Sequence, residues 1–199
     1  MNIRQAIEAD NPSPKYVQLV ETAYGLFWRY GIKRVTIEEI CRTAGVSKMT
    51  FYAHFKNKVE LALYVLRKVF KVGIDTYHGI MEGDAPFEDK VAAFIQLKLD
   101  ASPEVSREIL DDLLHSPVPE IAEFIQQQYQ QNVQLLLADL TKAQERGEIR
   151  QHIKPEFLLF FIQHMVELAS DERLTGMFDS PQDMTRELLN LFFYGILPR

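Results

Sequence analysis

The residue types best suited to binding chemistry gather in one short segment, SKMTFYAHFKNK, at residues 47–58. Ten of its twelve residues are polar, aromatic or both, and three of them are lysines. Ammonium, hydroxyl and imidazole groups can bond phosphate oxygens, and a side chain at the start of a helix can reach base edges in a DNA groove. The segment therefore indicates a polyanionic partner.

Two short helices must position this segment. Residues 36–44 predict the first helix, with Thr36 as its N-cap, Glu39 completing a capping box, and Gly45 ending it. Ser47 can cap a second helix that runs to about residue 55. Two helices joined by a tight turn at this spacing predict a helix-turn-helix.

The second helix has two unlike faces. Phe51 and Phe55 stand one turn apart, so we expect both to face the core. The opposite arc is slim or flexible, which lets the helix lie close to another surface, and Lys48 stands at the end that meets base edges. The residues expected to bind DNA are Thr36 at the start of the first helix, together with Ser47, Lys48, Met49, Thr50, Tyr52, His54 and Lys58.

Charge is unevenly placed along the chain. Residues 1–60 hold 9 Lys/Arg against 6 Asp/Glu, whereas residues 61–199 hold 13 against 22. Such asymmetry suggests that the N-terminal part meets a polyanion, although a mixed solvated surface is equally compatible with charge alone.

Helical periodicity extends over almost the whole chain, so we predict an all-α fold of about nine helices. Residues 1–13 are polar and are expected to form a loose arm. We predict two domains, a basic three-helix domain at 1–60 and a larger helical domain at 61–199. The predicted helices are 14–30, 36–44, 47–55, one from 57 onward, 87–100, 103–115, 119–146, and two that start at Pro155 and Pro181.

The stretch TIEEICRTAGVSKMTFYAHFKNKVEL resembles the DNA-binding signature of the TetR family of bacterial transcriptional regulators. The resemblance covers residues 14–62 without a gap, and beyond them only the helical layout agrees. The matching positions are Thr36, Ile40, Ala44, Gly45, Val46, Ser47, Thr50, Tyr52, Phe55, Lys58 and Leu61.

The resemblance implies a homodimer that binds double-stranded DNA at an inverted-repeat operator and acts as a repressor released by a small molecule. It also implies that Lys48 and Met49 read bases, while the phosphate contacts are Thr50, Tyr52, His54 and Lys58. Two positions depart from the family pattern. Met49 stands where many members have glycine, and Cys41 stands where a small alanine is common, which we interpret as core filling.

The second domain is expected to hold the effector. Small-molecule sites are mostly apolar with a few placed polar groups, so we expect an apolar or weakly polar ligand. A plain hydrophobic core without a cavity fits the same pattern. The candidate ligand-binding residues are Phe94, Leu97, Leu110, His115, Gln126, Tyr129 and Val133.

The last two long helices are apolar on almost every side, as in PEFLLFFIQHMVELAS at 155–170. A helix of this kind must be buried on more than one face, which predicts that a second subunit covers part of it. The candidate dimer-interface residues are Phe157, Phe161, His164, Met165, Leu168, Leu188, Phe192 and Gly195.

Other function classes find little support. The sequence has no glycine-rich phosphate loop and no nucleophile motif, so we predict neither an enzyme nor a cofactor. His164 and Glu167 lie three residues apart, but a carboxylate-bridged metal site needs such a pair on two helices, so we predict no metal. One cysteine, no signal peptide and no membrane-length apolar run favour the cytoplasm. An all-α enzyme or ligand carrier with an incidental helix-turn-helix is the alternative.

Overall fold

The computed structural model describes residues 2–10, 12–101, 106–169 and 171–197, and every regular element within these ranges is an α-helix. The predicted all-α fold is therefore confirmed. The nine predicted helices correspond to the nine observed helices of seven or more residues, and two shorter ones add to them. The helices are α1 (Ile3–Glu8), α2 (Pro14–Tyr30), α3 (Ile37–Ala44), α4 (Lys48–His54), α5 (Lys58–Met81), α6 (Phe87–Ala101), α7 (Arg107–Leu114), α8 (Pro119–Glu145), α9 (Pro155–Ala169), α10 (Glu172–Thr175) and α11 (Pro181–Ile196).

Most helix ends lie where local signals predict them. Ser13 caps α2, and Gly31 ends it with a positive φ of 81°. The predicted helix 103–115 begins later, because Ser106 is the N-cap of α7 and accepts a hydrogen bond from the backbone N–H of Ile109. Residues 103–105 of that prediction lie outside the described residues.

The chain forms two compact units that alternate along the sequence. The first comprises residues 1–78 and 104–128, and the second comprises 79–103 and 129–199. This division differs from the predicted boundary at residue 60, because most of α5, all of α7 and the start of α8 pack with the helix-turn-helix. The division of functions between residues 1–60 and 61–199 stays a prediction.

The core of the first unit explains this difference. Leu61 and Val65 of α5 and Ile109 of α7 are fully buried in the same apolar cluster as Phe27 of α2. These side chains come from segments up to about 80 residues apart, so local sequence patterns could not place them together.

The turn after α2 is fitted closely to α7. The backbone N–H of Lys33 donates to the Asp112 carboxylate at 2.8 Å, and the N–H of Ser106 donates to the carbonyl oxygen of Trp28 at 3.2 Å. A Cβ on Gly31 would lie 2.7 Å from the same carboxylate oxygen. A side chain at Gly31 is therefore disfavoured by the positive φ, and it would also require the Asp112 carboxylate to shift.

The prediction of a loose arm over residues 1–13 is wrong for most of that segment. Asn2 and Gln5 form a capping box at the start of α1, and Ile7 is fully buried in the core of the first unit. Asp10, just beyond α1, accepts hydrogen bonds from Lys68 at 2.7 Å and from the hydroxyl of Tyr64 at 2.9 Å. These bonds hold the pKa of Asp10 below its ordinary value.

The second unit has its own apolar core, built from α6, α9, α11 and most of α8. Phe161 of α9 stacks on Phe192 of α11 with ring centroids 5.6 Å apart, and Phe94 of α6 meets Phe193 edge-on. Lys90 is buried beside this core, where its ammonium donates to the carbonyl oxygen of Met81 at the end of α5.

Candidate nucleic-acid interface

The helix-turn-helix is fixed by hydrogen bonds at each helix end. Thr36 accepts from the N–H of Glu39 at 3.1 Å, which confirms it as the N-cap of α3. Gly45 ends α3 in the left-handed region with φ 64°, and the N–H of Val46 donates to the carbonyl oxygen of Cys41. The turn that sets the angle between α3 and α4 thus depends on a residue able to adopt positive φ.

The inner face of α4 is held by aromatic packing. Phe51 is fully buried and Phe55 is 4% exposed, with their rings 6.0 Å apart. Cys41 lies in the same core, and burial raises the pKa of its thiol. A buried thiol of this kind is unreactive, which fits the prediction that Cys41 fills space.

The outer face of α4 projects into solvent. Met49 is 82% exposed and Tyr52 is 56% exposed, although both are large and carry apolar surface. Thr50 is half-buried, and its hydroxyl lies 2.9 Å from that of Ser47, the N-cap of α4. The structure therefore brings most of the predicted DNA-binding residues together on one short helix, while Thr36 lies at the start of α3.

His54 is exposed at the end of α4 and is supported by a residue that the sequence pattern did not single out. Its ring meets Tyr16 of α2 edge-on at 5.0 Å, and Tyr16 also stacks on Phe55 at 5.5 Å. Tyr64 of α5 meets Tyr16 from another side at 5.7 Å. This aromatic cluster joins the start of α2 to the end of α4 and fixes where His54 can reach.

Lys58 has a different environment from the other predicted site residues. Its ammonium donates to the carbonyl oxygens of Ile32, Lys33 and Val35 at 2.6, 3.0 and 2.7 Å. An ammonium has three donors, so each finds a backbone acceptor. Burial lowers the pKa of Lys58, and the nearby Asp112 opposes that shift. A phosphate contact, as predicted, would require Lys58 to give up one of these bonds.

Lys48 also has a partner, since its ammonium forms an ion pair with Glu38 in the first turn of α3. The hydrogen bond from Lys48 lowers the pKa of Glu38 and raises that of Lys48 itself. The predicted base reader is therefore engaged by an acidic neighbour ten residues earlier. Sequence reasoning missed Glu38, because no periodicity links the first turns of two different helices.

Several exposed cations lie near α3 and α4 in sequence. Arg34 lies over the ring of Tyr30, with its guanidinium carbon 4.5 Å from the ring centroid. Such stacking leaves the edge of a guanidinium open to an anion. The exposed basic residues of the first unit near α3 and α4 in sequence are Lys33, Arg34, Arg42, Lys48 and Lys56.

The structure does not assign the predicted ligand-binding residues to one unit. Phe94, Leu97, Tyr129 and Val133 belong to the second unit and are buried or half-buried. The other three belong to the first unit and are exposed, and the imidazole of one, His115, pairs with Asp111 at 3.1 Å. The three exposed residues are Leu110, His115 and Gln126.

The predicted interface residues of α9 differ from one another in exposure. Phe157 is 58% exposed and Leu168 is 42% exposed, whereas Phe161 and Met165 are half-buried in the core of the second unit. Phe160, which sequence analysis left out, is also 58% exposed, and its ring stacks on that of His164 at 4.0 Å. The exposed face of α9 is therefore rotated from the predicted stripe.

A similar difference occurs on α11. Phe192 is only 4% exposed, because it packs on Phe161 within the unit, and Leu188 is half-buried. Leu191 and Tyr194 are exposed instead, at 72% and 44%. A Cβ on Gly195 would meet no heavy atom within 4 Å. The surface of α11 thus offers Leu191, Tyr194 and Gly195, while Phe192 stabilises the unit from inside.

The described part of the chain lacks the features that a metal site or a membrane span requires. Within it, no three His, Cys, Asp or Glu side chains come together in a way that could hold a metal ion. None of the helices described there combines the length and apolar character needed to cross a membrane.

Comparison with known proteins connects this geometry to a family. Residues 19–65 match the family model described as bacterial regulatory proteins, tetR family. Over 176 residues the chain is 26% identical to the HTH-type transcriptional regulator RutR of Escherichia coli strain K12, with 82% of this chain and 80% of that protein covered.

Solved structures share the fold. SCO4454, a TetR-family transcriptional regulator from Streptomyces coelicolor, superposes with a TM-score of 0.72 at 20% identity, covering 96% of this chain and 92% of that one. The transcriptional regulator FadR from Bacillus subtilis, solved in complex with stearoyl-CoA, superposes with a TM-score of 0.68 at 18% identity, covering 91% and 99%.

Proposed function

We propose that the chain, whose residues 19–65 match the tetR family model, is a TetR-family regulator that acts as a homodimeric repressor and leaves an inverted-repeat operator when a small organic effector binds. DNA binding by a transcriptional regulator is the premise. What goes beyond that premise is the form of the operator, the release by a ligand and the assembly. Such a regulator acts where the bacterial chromosome lies, in the cytoplasm.

The exposed outer face of α4 is the observation that carries the proposal. A methionine that is 82% exposed and a tyrosine that is 56% exposed stand on a helix whose opposite face is locked by Phe51 and Phe55. Rigid support with an exposed reading face is what a recognition helix needs to enter a major groove. Lys48, Thr50 and His54 supply the polar contacts on the same helix.

Exposed apolar side chains on the second unit support the dimer. Phe157, Phe160 and Leu168 lie along one face of α9, at spacings that return to the same side of a helix. Leu191 and Tyr194 are exposed on α11. Large contiguous apolar surfaces are rare on monomers, so a second copy is the expected cover. The two helices of each chain then form a four-helix bundle.

The effector site is proposed for the second unit alone. Phe94, Tyr129 and Val133 remain candidates because they lie in or against its core, and Leu97 remains one because it is half-buried on the same helix as Phe94. Their apolar character, with a tyrosine hydroxyl as the polar handle, suits an apolar or weakly polar organic molecule. The exposed Leu110, His115 and Gln126 are not retained.

Two helices can transmit the effect of a ligand. Both α5 and α8 contribute residues to each unit, so these two helices are the continuous elements through which effector binding is proposed to act on DNA binding. A coupling free energy of about 1–3 kcal/mol would weaken operator binding roughly 5–150-fold, and DNA would weaken effector binding by the same factor.

Selection from a pool of random duplexes tests the DNA-binding part. Wild-type protein should enrich an inverted repeat whose half-sites lie about one helical turn apart, roughly 34–36 Å. The duplex so obtained is called the selected duplex below. Enrichment of a single asymmetric site, or of nothing, would overturn the dimeric operator.

The ligand-release part has its own test. A compound that raises the melting temperature is titrated against the protein with and without the selected duplex. The two affinities should differ by the factor that the compound imposes on DNA binding. If no stabilising compound from a broad library shows such coupling, release by an effector is wrong while DNA binding stands. Turnover of such a compound would favour the enzyme alternative.

A further inference from the structure

An ion pair between Glu38 and Lys48 joins the first turn of α3 to the first residue of α4, the expected recognition helix. Lys48 is the first residue of α4 and Glu38 lies in the first turn of α3. Their side chains are 55% and 70% exposed, so neither is held by burial. Exposed ion pairs contribute little to folding stability, so the consequence of this pair is expected in DNA binding.

Glu38 carries a negative charge on a surface that is expected to meet phosphates. A carboxylate beside a DNA backbone is repelled, while its accepting oxygens can pair with the amino group of cytosine. Arg42, one turn further along α3, is close enough to lower the pKa of Glu38 and adds positive charge on the same side. The carboxylate therefore stands among cations that would otherwise bind any duplex.

We propose that Glu38 is a specificity-determining residue, which withholds Lys48 from phosphates and releases it only to a matching base edge. The proposal rests on the proposed operator binding. On an unrelated duplex, Lys48 gains one phosphate but loses Glu38, and Glu38 is left facing negative charge. On the operator, Lys48 gains the two acceptors of a guanine and Glu38 can accept from a neighbouring cytosine. The pair thus penalises wrong sequences more than the right one.

A charge-matched control is available on α5. Asp75 forms an exposed ion pair with Lys71 at 2.7 Å, on a helix that does not belong to the helix-turn-helix. Glu38→Gln and Asp75→Asn remove the same net charge and each leaves one lysine without its partner. Any effect of overall charge on DNA binding therefore appears in both variants.

The experiment measures affinity for the selected duplex and for an unrelated duplex of equal length, by fluorescence anisotropy over a range of salt concentrations. Glu38→Gln should bind the unrelated duplex about ten-fold more tightly, with a salt slope steeper by about one unit, as expected for one further phosphate contact. Its affinity for the selected duplex should change less, so the ratio of the two affinities falls. Asp75→Asn should leave that ratio unchanged.

Repeating the measurement in a Lys48→Met background isolates the pair. There, Glu38→Gln should change the affinity ratio no more than Asp75→Asn does. A ratio that survives Glu38→Gln, or an effect that persists without Lys48, overturns the role of Glu38 and leaves operator binding intact. A wild-type protein that fails to distinguish the two duplexes overturns operator binding itself, and the specificity role with it.

Discussion

At the scale of single residues, Lys58 shows why position within a motif does not fix a role. Its place just after the recognition helix predicts a phosphate contact, yet its ammonium bonds the carbonyl oxygens of Ile32, Lys33 and Val35. Those carbonyls follow α2 and precede α3, so Lys58 ties the start of α5 to the entry of the helix-turn-helix. Lys56, two residues earlier, is exposed and available to phosphate.

We therefore expect substitution of Lys58 to reduce folding stability and substitution of Lys56 to reduce DNA binding. Lys58→Met should lower the free energy of unfolding by about 2 kcal/mol, because three carbonyl groups lose a charged donor. Lys56→Met should change it by less than about 0.5 kcal/mol, as is usual for an exposed site. Urea unfolding followed by circular dichroism measures both.

DNA binding by the Lys56→Met and Lys58→Met variants separates the two roles further. Lys56→Met should weaken binding to every duplex and reduce the salt slope by about one unit. If Lys58→Met instead leaves stability unchanged while reducing the salt slope, the structural role given to Lys58 is wrong and the original phosphate contact is right.

At the scale of elements, local sequence signals predicted where helices begin and end. How the helices pack on one another depends on nonlocal contacts. The bounds of α2 follow from Ser13, Pro14 and Gly31, and those of α3 follow from Thr36 and Gly45. Each of these signals acts within one turn of its own helix, so sequence alone suffices. The packing of α7 on α2 and the hydrogen bonds of Lys58 join segments that are distant in sequence. Such contacts produce no periodic pattern of residues from which they could be predicted.

Two helices, α1 and α9, have features that the sequence pattern could not predict. The helix α1 spans six residues, too few for a periodic pattern to stand out, and it persists because Ile7 is buried. The helix α9 is apolar nearly all round, so its pattern predicts burial on several faces without fixing which face meets the core. The half-buried Phe161 and the exposed Phe160 are therefore indistinguishable by residue type.

The docking of α1 should depend on pH through Asp10. Its pKa is lowered in the folded state by the hydrogen bond from Lys68 and by that from Tyr64, so the unfolded chain binds this proton more tightly. The stabilisation is thus complete above the ordinary value of about 3.9 and is lost as pH falls below it. The difference in unfolding free energy between wild type and Asp10→Asn should shrink between about pH 5 and pH 2.

Denaturant titrations at several pH values check this dependence. A difference between the two proteins that stays constant over the whole range would show that Asp10 contributes nothing through its charge.

The two turns that begin at Gly31, after α2, and at Gly45, after α3, should tolerate a side chain poorly. Gly45→Ala should cost about 1–2 kcal/mol, the penalty for a left-handed residue with open space around its Cβ. Gly31→Ala should cost more, since its Cβ would also lie 2.7 Å from the Asp112 carboxylate. In an Asp112→Ala background the cost of Gly31→Ala should fall toward that of Gly45→Ala. Equal costs for the two glycines in the wild-type background would contradict the close fit of α7.

At the scale of the whole molecule, the proposed two-fold assembly depends on which aromatic side chains face outward. Phe160→Glu should give a monomer that keeps its helical content, because this side chain is 58% exposed. Phe192→Glu should unfold the second unit instead, since Phe192 is 4% exposed and packs on Phe161. Sedimentation velocity and circular dichroism separate the two outcomes. A wild-type chain that sediments as a monomer at micromolar concentration would contradict the dimer.

DNA binding is expected to require that α4 enters the groove with its outer face, and Met49 offers the most direct test. Met49→Glu adds a negative charge at a site that is 82% exposed, so folding should be unaffected and the melting temperature should stay within a degree or two of the wild-type value. Anisotropy with the selected duplex should show a loss of affinity of at least about 100-fold at a fixed salt concentration, because a like charge facing the DNA is repelled and costs several kcal/mol. An unchanged affinity at the same salt concentration would contradict the claim that this chain binds DNA through α4.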